Sequence, residues 1–385
     1  MNNYTFNIPT QIEFGAGAIK KIPGLISNLN CKNIMIVTDK GVVNAGLLDK
    51  ITSTFDSGKS DIKYVLFDKV QPDPGTDMIE EIYTLAKKEN TEAFVAIGGG
   101  SPMDSAKGAS LLMTNPGKLQ DYGGVNKVKN KGIPVIAIPT TAGTGSEVTI
   151  FAVLSDNEAN TKFTVTSNLI APDIAIIDPE LTLTLPSKLT ASTGLDAMTH
   201  AVEAFTSLIS EPISDSLALE AMNLLYNYLP RAVNNGSDLE AREKVAQGSL
   251  LAGMAFNNAY LGLAHAIASP LGALFHVPHG TATAVMLPHV MKYNYSAAPE
   301  KYVKMAEAFG VDVIGKDLYE KAYCAVEAIT KLVSLCGMPT TLHEVGAKEE
   351  MLDQVAKDAL LSVQLKFNCR KANEAQIREI VGEAY

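Results

Sequence analysis

Four side chains in the second half of the chain have the types and spacing of a metal site. Asp196 and His200 are four residues apart in a stretch of helical character, so a carboxylate and an imidazole would share one helical face. His265 and His279 lie in the next apolar region and are two of only six histidines in the chain. Three imidazoles and one carboxylate suit a divalent first-row ion such as iron or zinc. Taken alone, Asp196 and His200 are equally consistent with a surface ion pair on a helix.

The composition excludes several classes of protein. A length of 385 residues exceeds what one hydrophobic core usually supports, so two domains are expected. A net charge of −10 argues against nucleic acid or an anionic membrane as a partner. The four cysteines show no CxxC spacing, which is typical of reduced thiols in a cytosolic protein. The first residues show no basic start followed by an apolar run, so a cytoplasmic protein is expected.

The pattern of elements changes near residue 185. Before it, apolar runs at residues 33–39, 93–97 and 134–139 alternate with helical stretches, which predicts a parallel sheet covered on both faces. After it, almost every segment has helical periodicity. We therefore expect an α/β dinucleotide-binding domain over residues 1–185 and an all-α metal-binding domain over residues 186–385. A cleft between two such domains is a common place for a small-molecule substrate.

Two glycine-rich loops, at residues 98–108 and 139–149, each follow a predicted strand. Ligands of parallel α/β sheets bind at the carboxyl ends of strands, and a helix N-terminus there favours phosphate. Tight turns use the same residue types, but two such loops on one sheet predict a dinucleotide site. The candidate residues are Gly98, Gly99, Gly100, Ser101, Asp104, Thr140, Thr141, Gly143, Thr144 and Ser146.

Asp39 ends an earlier predicted strand. A carboxylate at that position can accept hydrogen bonds from an adenosine ribose and repels a 2′-phosphate, which favours NAD over NADP. The alternative is a turn-capping aspartate ahead of Gly41.

The two loops, the Asp-x3-His motif and the later histidines, in this order, resemble the iron-containing (group III) alcohol dehydrogenases. The resemblance covers nearly the whole chain and is nearest the short-chain primary alcohol and propanediol branch, which includes lactaldehyde reductases. It implies the dehydroquinate synthase-like fold and Fe(II), with Zn(II) as an alternative, on Asp196, His200, His265 and His279. It also implies that further cofactor contacts come from Asp39, Asp73, Val153, Lys162 and Leu181.

The chain departs from the family pattern at several positions. Many relatives have another histidine four residues after the third ligand, but this chain has Ser269, so a proton relay would pass to Ser269 or His276. Phe151 stands where the lactaldehyde branch tends to have asparagine, and with Phe256 it would make a more apolar substrate pocket that favours simple alcohols over vicinal diols. Asp73 stands where relatives often have asparagine.

The resemblance implies an NAD-linked enzyme that transfers a hydride between a short-chain primary alcohol or diol and the nicotinamide, acting as a homodimer or larger homo-oligomer. A zinc polyol dehydrogenase of the glycerol type and a lyase resembling dehydroquinate synthase are alternatives on the same scaffold. Those relatives generally have fewer histidine ligands or a glutamate as first ligand, which disfavours both. A non-catalytic nucleotide-binding assembly protein is the alternative from another class.

Overall fold

The structure, a computed structural model, describes residues 3–56, 61–159 and 161–385. These residues form two compact units. The first, the sheet unit, contains residues 8–141 and 145–184; the second, the helical unit, contains residues 3–7, 142–144 and 185–385. The sequence-based division at residue 185 places residues 3–7 and 142–144 in the first domain, and here the structure differs. The reason is local: the Asn7 N–H donates to the Asn258 side chain at 2.8 Å, and the Gly143 carbonyl lies 3.2 Å from Nδ1 of His200.

The sheet unit alternates strands and helices. Its strands are β1 (Gln11–Phe14), β2 (Asn33–Val37), β3 (Lys63–Phe67), β4 (Ala93–Gly98), β5 (Gly124–Val125), β6 (Val135–Pro139), β7 (Phe151–Asp156), β8 (Thr161–Thr166) and β9 (Ile174–Ile177). Its helices are α1 (Ile22–Asn28), α2 (Lys40–Asn44), α3 (Leu47–Asp56), α4 (Thr76–Lys88) and α5 (Gly100–Thr114).

Six of the described strands form a parallel sheet in the order β1-β9-β6-β4-β2-β3. The inner strands β4, β6 and β9 are buried at every position, because apolar clusters cover both faces of the sheet. Successive residues of β4 alternate between these clusters, Phe94 entering one and Val95 the other. The predicted parallel sheet is confirmed. A second sheet, β5-β8-β7, was not predicted. β5 has only two residues, and β7 and β8, of six residues each, are buried at only two positions each, so they lack the buried apolar runs of the main sheet.

The helical unit is built from α6 (Ser187–Thr206), α7 (Pro212–Asn234), α8 (Leu239–Ala259), α9 (Leu263–Phe275), α10 (His279–Asn294), α11 (Pro299–Ala308), α12 (Leu318–Leu335), α13 (Leu352–Ala359) and α14 (Glu374–Glu383). This confirms the helical architecture predicted for the second half. In the chain as described, no helix combines the length and apolarity needed to cross a bilayer.

Helix α6 is the central helix of this unit and packs against α7, α8 and α10. It is buried along most of its length from Thr190 to Thr206. The fit to α7 depends on Gly194, where a Cβ would lie 2.3 Å from Leu229 Cδ1. Because α6 is covered on several sides, its polar side chains must find partners inside the protein.

Candidate functional site

Helix α6 presents three acid or imidazole side chains on one face: Asp196, His200 and Glu203. Spacings of four and seven residues bring side chains to the same side of a helix. All three residues are only 4 % exposed. Asp196 is held from α10, where the Thr283 hydroxyl donates to its Oδ1 at 3.0 Å. Buried groups of this kind require compensation, which the neighbouring helices supply.

Three histidines converge on the Asp196 carboxylate. His265 Nε2 lies 3.7 Å and His279 Nε2 3.6 Å from Oδ1, and His200 Nε2 lies 3.9 Å from Oδ2. The potential ligand atoms of Asp196, His265 and His279 all lie within 4.8 Å of one another. The His200 ring stacks on the His265 ring with centroids 4.7 Å apart. The structure thus brings together all four side chains predicted from α6, α9 and α10.

The two buried imidazoles are oriented through their Nδ1 atoms. His200 Nδ1 lies 3.2 Å from the Gly143 carbonyl, and His265 Nδ1 lies 2.6 Å from Glu203 Oε2. With these nitrogens as donors, each Nε2 faces Asp196. His265 Nε2 is buried and has no hydrogen-bond partner among the described residues. An orphaned nitrogen beside a carboxylate and two further imidazoles fits a divalent cation in both donor type and direction.

The cluster shifts the pKa values of its members in opposite directions. Burial opposes ionisation of Asp196, but the charges of His200 and His279 and the interaction with His265 outweigh it and hold its pKa below the usual range. Burial lowers the pKa of His200 to about 4, so this imidazole is neutral near pH 7. For His265 burial also favours the neutral ring, but Glu203 and Asp196 outweigh it and raise the pKa to about 9. A divalent cation bound here would compete with a proton for His265.

Phe256, a predicted substrate contact, covers one side of this cluster. Its ring stacks on His200 with centroids 4.4 Å apart, and it is 6 % exposed. The other predicted contact, Phe151, begins β7 in the sheet unit, and its place in the substrate pocket stays a prediction.

Of the two predicted relay residues, Ser269 lies within α9 and His276 follows its last residue. The Ser269 hydroxyl donates to the His265 carbonyl at 3.2 Å, one helical turn from the cluster. His276 is exposed and has a positive φ of 56° as the C-cap residue of α9. A relay through either residue stays a prediction.

The predicted nucleotide loops meet at one edge of the parallel sheet. Strands β2, β4 and β6 are neighbours, so Asp39, the glycines after Ile97 and Thr140 follow three adjacent carboxyl ends. Gly98 has φ 147°, and a Cβ there would lie 2.7 Å from Pro102 Cγ and 3.1 Å from Asp39 Oδ2. Only glycine fits this turn, and α5 begins two residues later with Gly99 as its N-cap and Gly100 and Ser101 in its first turn.

Asp39 is also a capping residue, which was the alternative to a ribose contact. Its Oδ1 accepts a hydrogen bond from the Val42 N–H at 3.0 Å and so caps α2. In the second loop, Thr141 Oγ1 lies 3.5 Å from where a Gly99 Cβ would be, so the two loops adjoin. Gly143 and Thr144 belong instead to the helical unit, where a Gly143 Cβ would lie 2.6 Å from Thr193 Cβ.

Other predicted cofactor residues contact one another. Asp104 accepts from the Ser146 hydroxyl at 2.6 Å and from the Val153 N–H at 3.0 Å. Lys162 Nζ lies 2.6 Å from Asp73 Oδ1. Leu181 is 1 % exposed within the apolar core of the sheet unit. Contacts of these residues with a cofactor stay predictions.

Three residues at these sites were not predicted from the sequence. Glu203 contacts His265 and Thr283 contacts Asp196. Spacings of seven from Asp196 and four from His279 were the available signals, but spacing does not show that a side chain is buried. The third is Lys107, whose fully buried ammonium donates to the Ser146 hydroxyl and the Phe151 carbonyl, both at 2.8 Å. A lysine three residues after Asp104 on α5 was the available signal.

The chain is similar to known proteins over nearly its whole length. The "Fe-containing alcohol dehydrogenase family, C-terminal" model matches residues 190–385, and the "iron-containing alcohol dehydrogenase" model matches residues 9–179. The chain is 40 % identical over 385 residues to a 1,3-propanediol dehydrogenase of Citrobacter freundii, covering 99 % of both chains. It is 38 % identical over 379 residues to the NAD-dependent methanol dehydrogenase of Bacillus methanolicus, covering 98 % of this chain and 99 % of that one. A crystal structure of a 1,3-propanediol oxidoreductase superposes with a TM-score of 0.98 at 39 % identity, covering both chains fully.

Proposed function

The chain belongs to the iron-containing alcohol dehydrogenase family and is an oxidoreductase, and from this premise we propose that it transfers a hydride between short-chain primary alcohols and NAD. We propose Fe(II) as its metal, held by Asp196, His200, His265 and His279. The observation that carries the proposal is the convergence of these side chains around the orphaned Nε2 of His265. The family match favours a dehydrogenase over the lyase and the non-catalytic assembly protein.

A divalent ion in this position supplies Lewis acidity, which lowers the pKa of an alcohol hydroxyl and polarises an aldehyde carbonyl. The protein supplies the remaining conditions. Thr283 and Glu203 hold Asp196 and His265 in place, and the Gly143 carbonyl orients His200. Phe256 excludes water from one face of the His200 ring.

The cofactor assignment rests on the loops at the edge of the parallel sheet. The turn at Gly98 and the first turn of α5 favour an anionic pyrophosphate. The Asp39 carboxylate beside Gly98 favours the ribose of NAD over the 2′-phosphate of NADP. A relative named as NAD-dependent supports the same choice.

The substrate assignment rests on the proposed metal centre, which would activate an alcohol hydroxyl, and on relatives named for methanol and 1,3-propanediol. Phe256, whose apolar ring stacks on His200, suits unbranched primary alcohols, with diols as the alternative. The zinc polyol dehydrogenase of the glycerol type is the competing activity, since the same ligands accept Zn(II).

Steady-state assays of C2 to C6 alcohols, diols and aldehydes with NAD(H) and NADP(H), in protein loaded with Fe(II) or Zn(II), test the proposal. We expect the highest kcat/KM for primary alcohols with NAD in the iron form. The matched variant His200→Ala is expected to lose both metal and turnover while keeping its circular dichroism spectrum. Turnover that survives this substitution would contradict the proposed centre.

We further propose that the protein is a cytoplasmic homodimer or larger homo-oligomer. Leu208 and Ile209 are adjacent in the chain and are 60 % and 45 % exposed, so they are candidate contacts with a second copy of the chain. Light scattering coupled to size-exclusion chromatography tests this, and a monomer at micromolar concentration would contradict it.

A further inference from the structure

We infer that Glu203 is a positioning residue for the metal centre, acting through His265 and through the start of α9. The inference rests on the proposed function, because it concerns the same centre. Glu203 lies on α6, seven residues after Asp196, so one helix carries both a proposed ligand and the group that orients another. It is 4 % exposed.

Three N–H groups point at the two oxygens of this carboxylate. Oε2 lies 2.6 Å from His265 Nδ1 and accepts from the Gly262 N–H at 2.9 Å. Oε1 accepts from the Ala264 N–H at 2.6 Å. Gly262 is the N-cap residue of α9, and no side chain of its own caps that helix. Glu203 therefore satisfies amides that the start of a helix leaves unpaired, and it does so from another helix.

The two roles are coupled because His265 lies in the first turn of the helix that Glu203 caps. The contact with Nδ1 fixes which ring nitrogen carries the proton, so Nε2 is left to face Asp196. The contacts with the amides of Gly262 and Ala264 fix where that turn lies. The approach is close: a Cβ at Gly262 would lie 3.2 Å from Glu203 Oε1.

An amide cannot replace this carboxylate. The three partners are all donors, and glutamine has one acceptor oxygen and one NH₂ group. In either orientation of glutamine, the NH₂ group faces at least one N–H. Glu203→Gln should therefore rotate the His265 ring or displace the first turn of α9, although the side chain keeps its size.

The test compares Glu203→Gln with Glu211→Gln. Glu211 is a second buried glutamate in the helical unit, and its oxygens accept from the Ile213 and Ser214 amides at 2.8 and 2.7 Å at the start of α7. Glu211 caps α7 as Glu203 caps α9, but within the described residues no hydrogen bond joins Glu211 to a histidine. Both substitutions should lower the melting temperature, but only Glu203→Gln should weaken metal binding.

Dissociation constants for Fe(II) and Zn(II) are measured by anaerobic competition with a chelator. We expect Glu203→Gln to weaken binding by about 10- to 100-fold and Glu211→Gln to leave it unchanged. Equal affinity in Glu203→Gln and wild type, or an equal loss in both variants, would overturn the inference. A wild type that binds neither ion would instead refute the proposed function.

A measurement on the wild type keeps the inference testable if Glu203→Gln does not fold. In the zinc-loaded protein, ¹⁵N chemical shifts identify the protonated nitrogen of each imidazole. We expect the His265 proton on Nδ1, donated to Glu203. A proton on Nε2 would overturn the inference.

Discussion

Gly280 offers a sharp test of how the helices position the metal ligands. It follows His279 in the first turn of α10, and a Cβ there would lie 2.5 Å from the carbonyl oxygen of Ser192 on α6. Ordinary contacts begin at 3.4 Å, so Gly280→Ala must move this turn by about 0.9 Å. The obstacle is backbone and cannot rotate away. Because His279 is the neighbouring residue, the movement changes its distance from Asp196.

A displacement of about 1 Å at a reacting centre can cost about 100-fold in rate, and overpacking costs about 1–3 kcal/mol of stability. We therefore expect Gly280→Ala to lower kcat/KM by about 100-fold and to weaken metal retention, with an unchanged circular dichroism spectrum. The assays are steady-state kinetics, chelator competition and urea denaturation.

The matched control is Gly272→Ala in α9. A Cβ at Gly272 meets only the Val277 carbonyl oxygen at 3.5 Å, an ordinary contact. Since alanine favours a helix over glycine, this variant should be as stable as wild type or up to about 1 kcal/mol more stable, with unchanged activity. If Gly280→Ala behaved like Gly272→Ala in all three assays, the inference that the α6–α10 contact positions His279 would be refuted.

Three further predictions concern the sheet unit. Lys107→Met should destabilise the protein by about 3–5 kcal/mol in urea denaturation, because it leaves Asp104 and the Phe151 carbonyl without their buried donor; a loss below about 1 kcal/mol would contradict this. Burial raises the pKa of Glu147 from 4.5 to about 7, so between these pH values the folded protein binds a proton that the unfolded chain releases. The contribution of Glu147 to the free energy of unfolding therefore falls as pH rises from about 4.5 to 7. Glu147→Gln should remove about 3 kcal/mol of this pH-dependent decrease in the free energy of unfolding. If the free energies of unfolding of variant and wild type changed with pH in parallel, the raised pKa of Glu147 would be refuted. Asp39→Gly should shift the kcat/KM ratio toward NADP by about tenfold, equivalent to about 1.4 kcal/mol, and an unchanged ratio would count against the ribose contact.

Periodic patterns predicted much of the fold. The buried strands β4 and β6 are continuous apolar runs, which are typical of a covered parallel sheet, and the helices after residue 185 follow helical periodicity. The sheet of β5, β7 and β8 was missed because β5 has only two residues and because β7 and β8 mix polar with apolar residues. Residues 142–144 were placed with the sheet unit because sequence order does not show that Gly143 packs on Thr193.

The candidate metal residues were predictable because histidine is scarce in this chain and the i,i+4 spacing of Asp196 and His200 is local. Glu203 was not, because glutamate is common on exposed helix faces and only burial distinguishes this one. Its partners on α9 lie about sixty residues away in the chain, so the contact depends on how α6 and α9 pack. Long-range contacts of this kind leave no pattern within a single element.

The proposed metal centre is tested most directly by an anomalous-difference map, collected at the iron absorption edge from crystals of protein purified and reconstituted with Fe(II) without oxygen. We expect one strong peak bounded by the Asp196 carboxylate and Nε2 of His200, His265 and His279. An active enzyme with no peak at that position, or with its iron bound elsewhere, would contradict it.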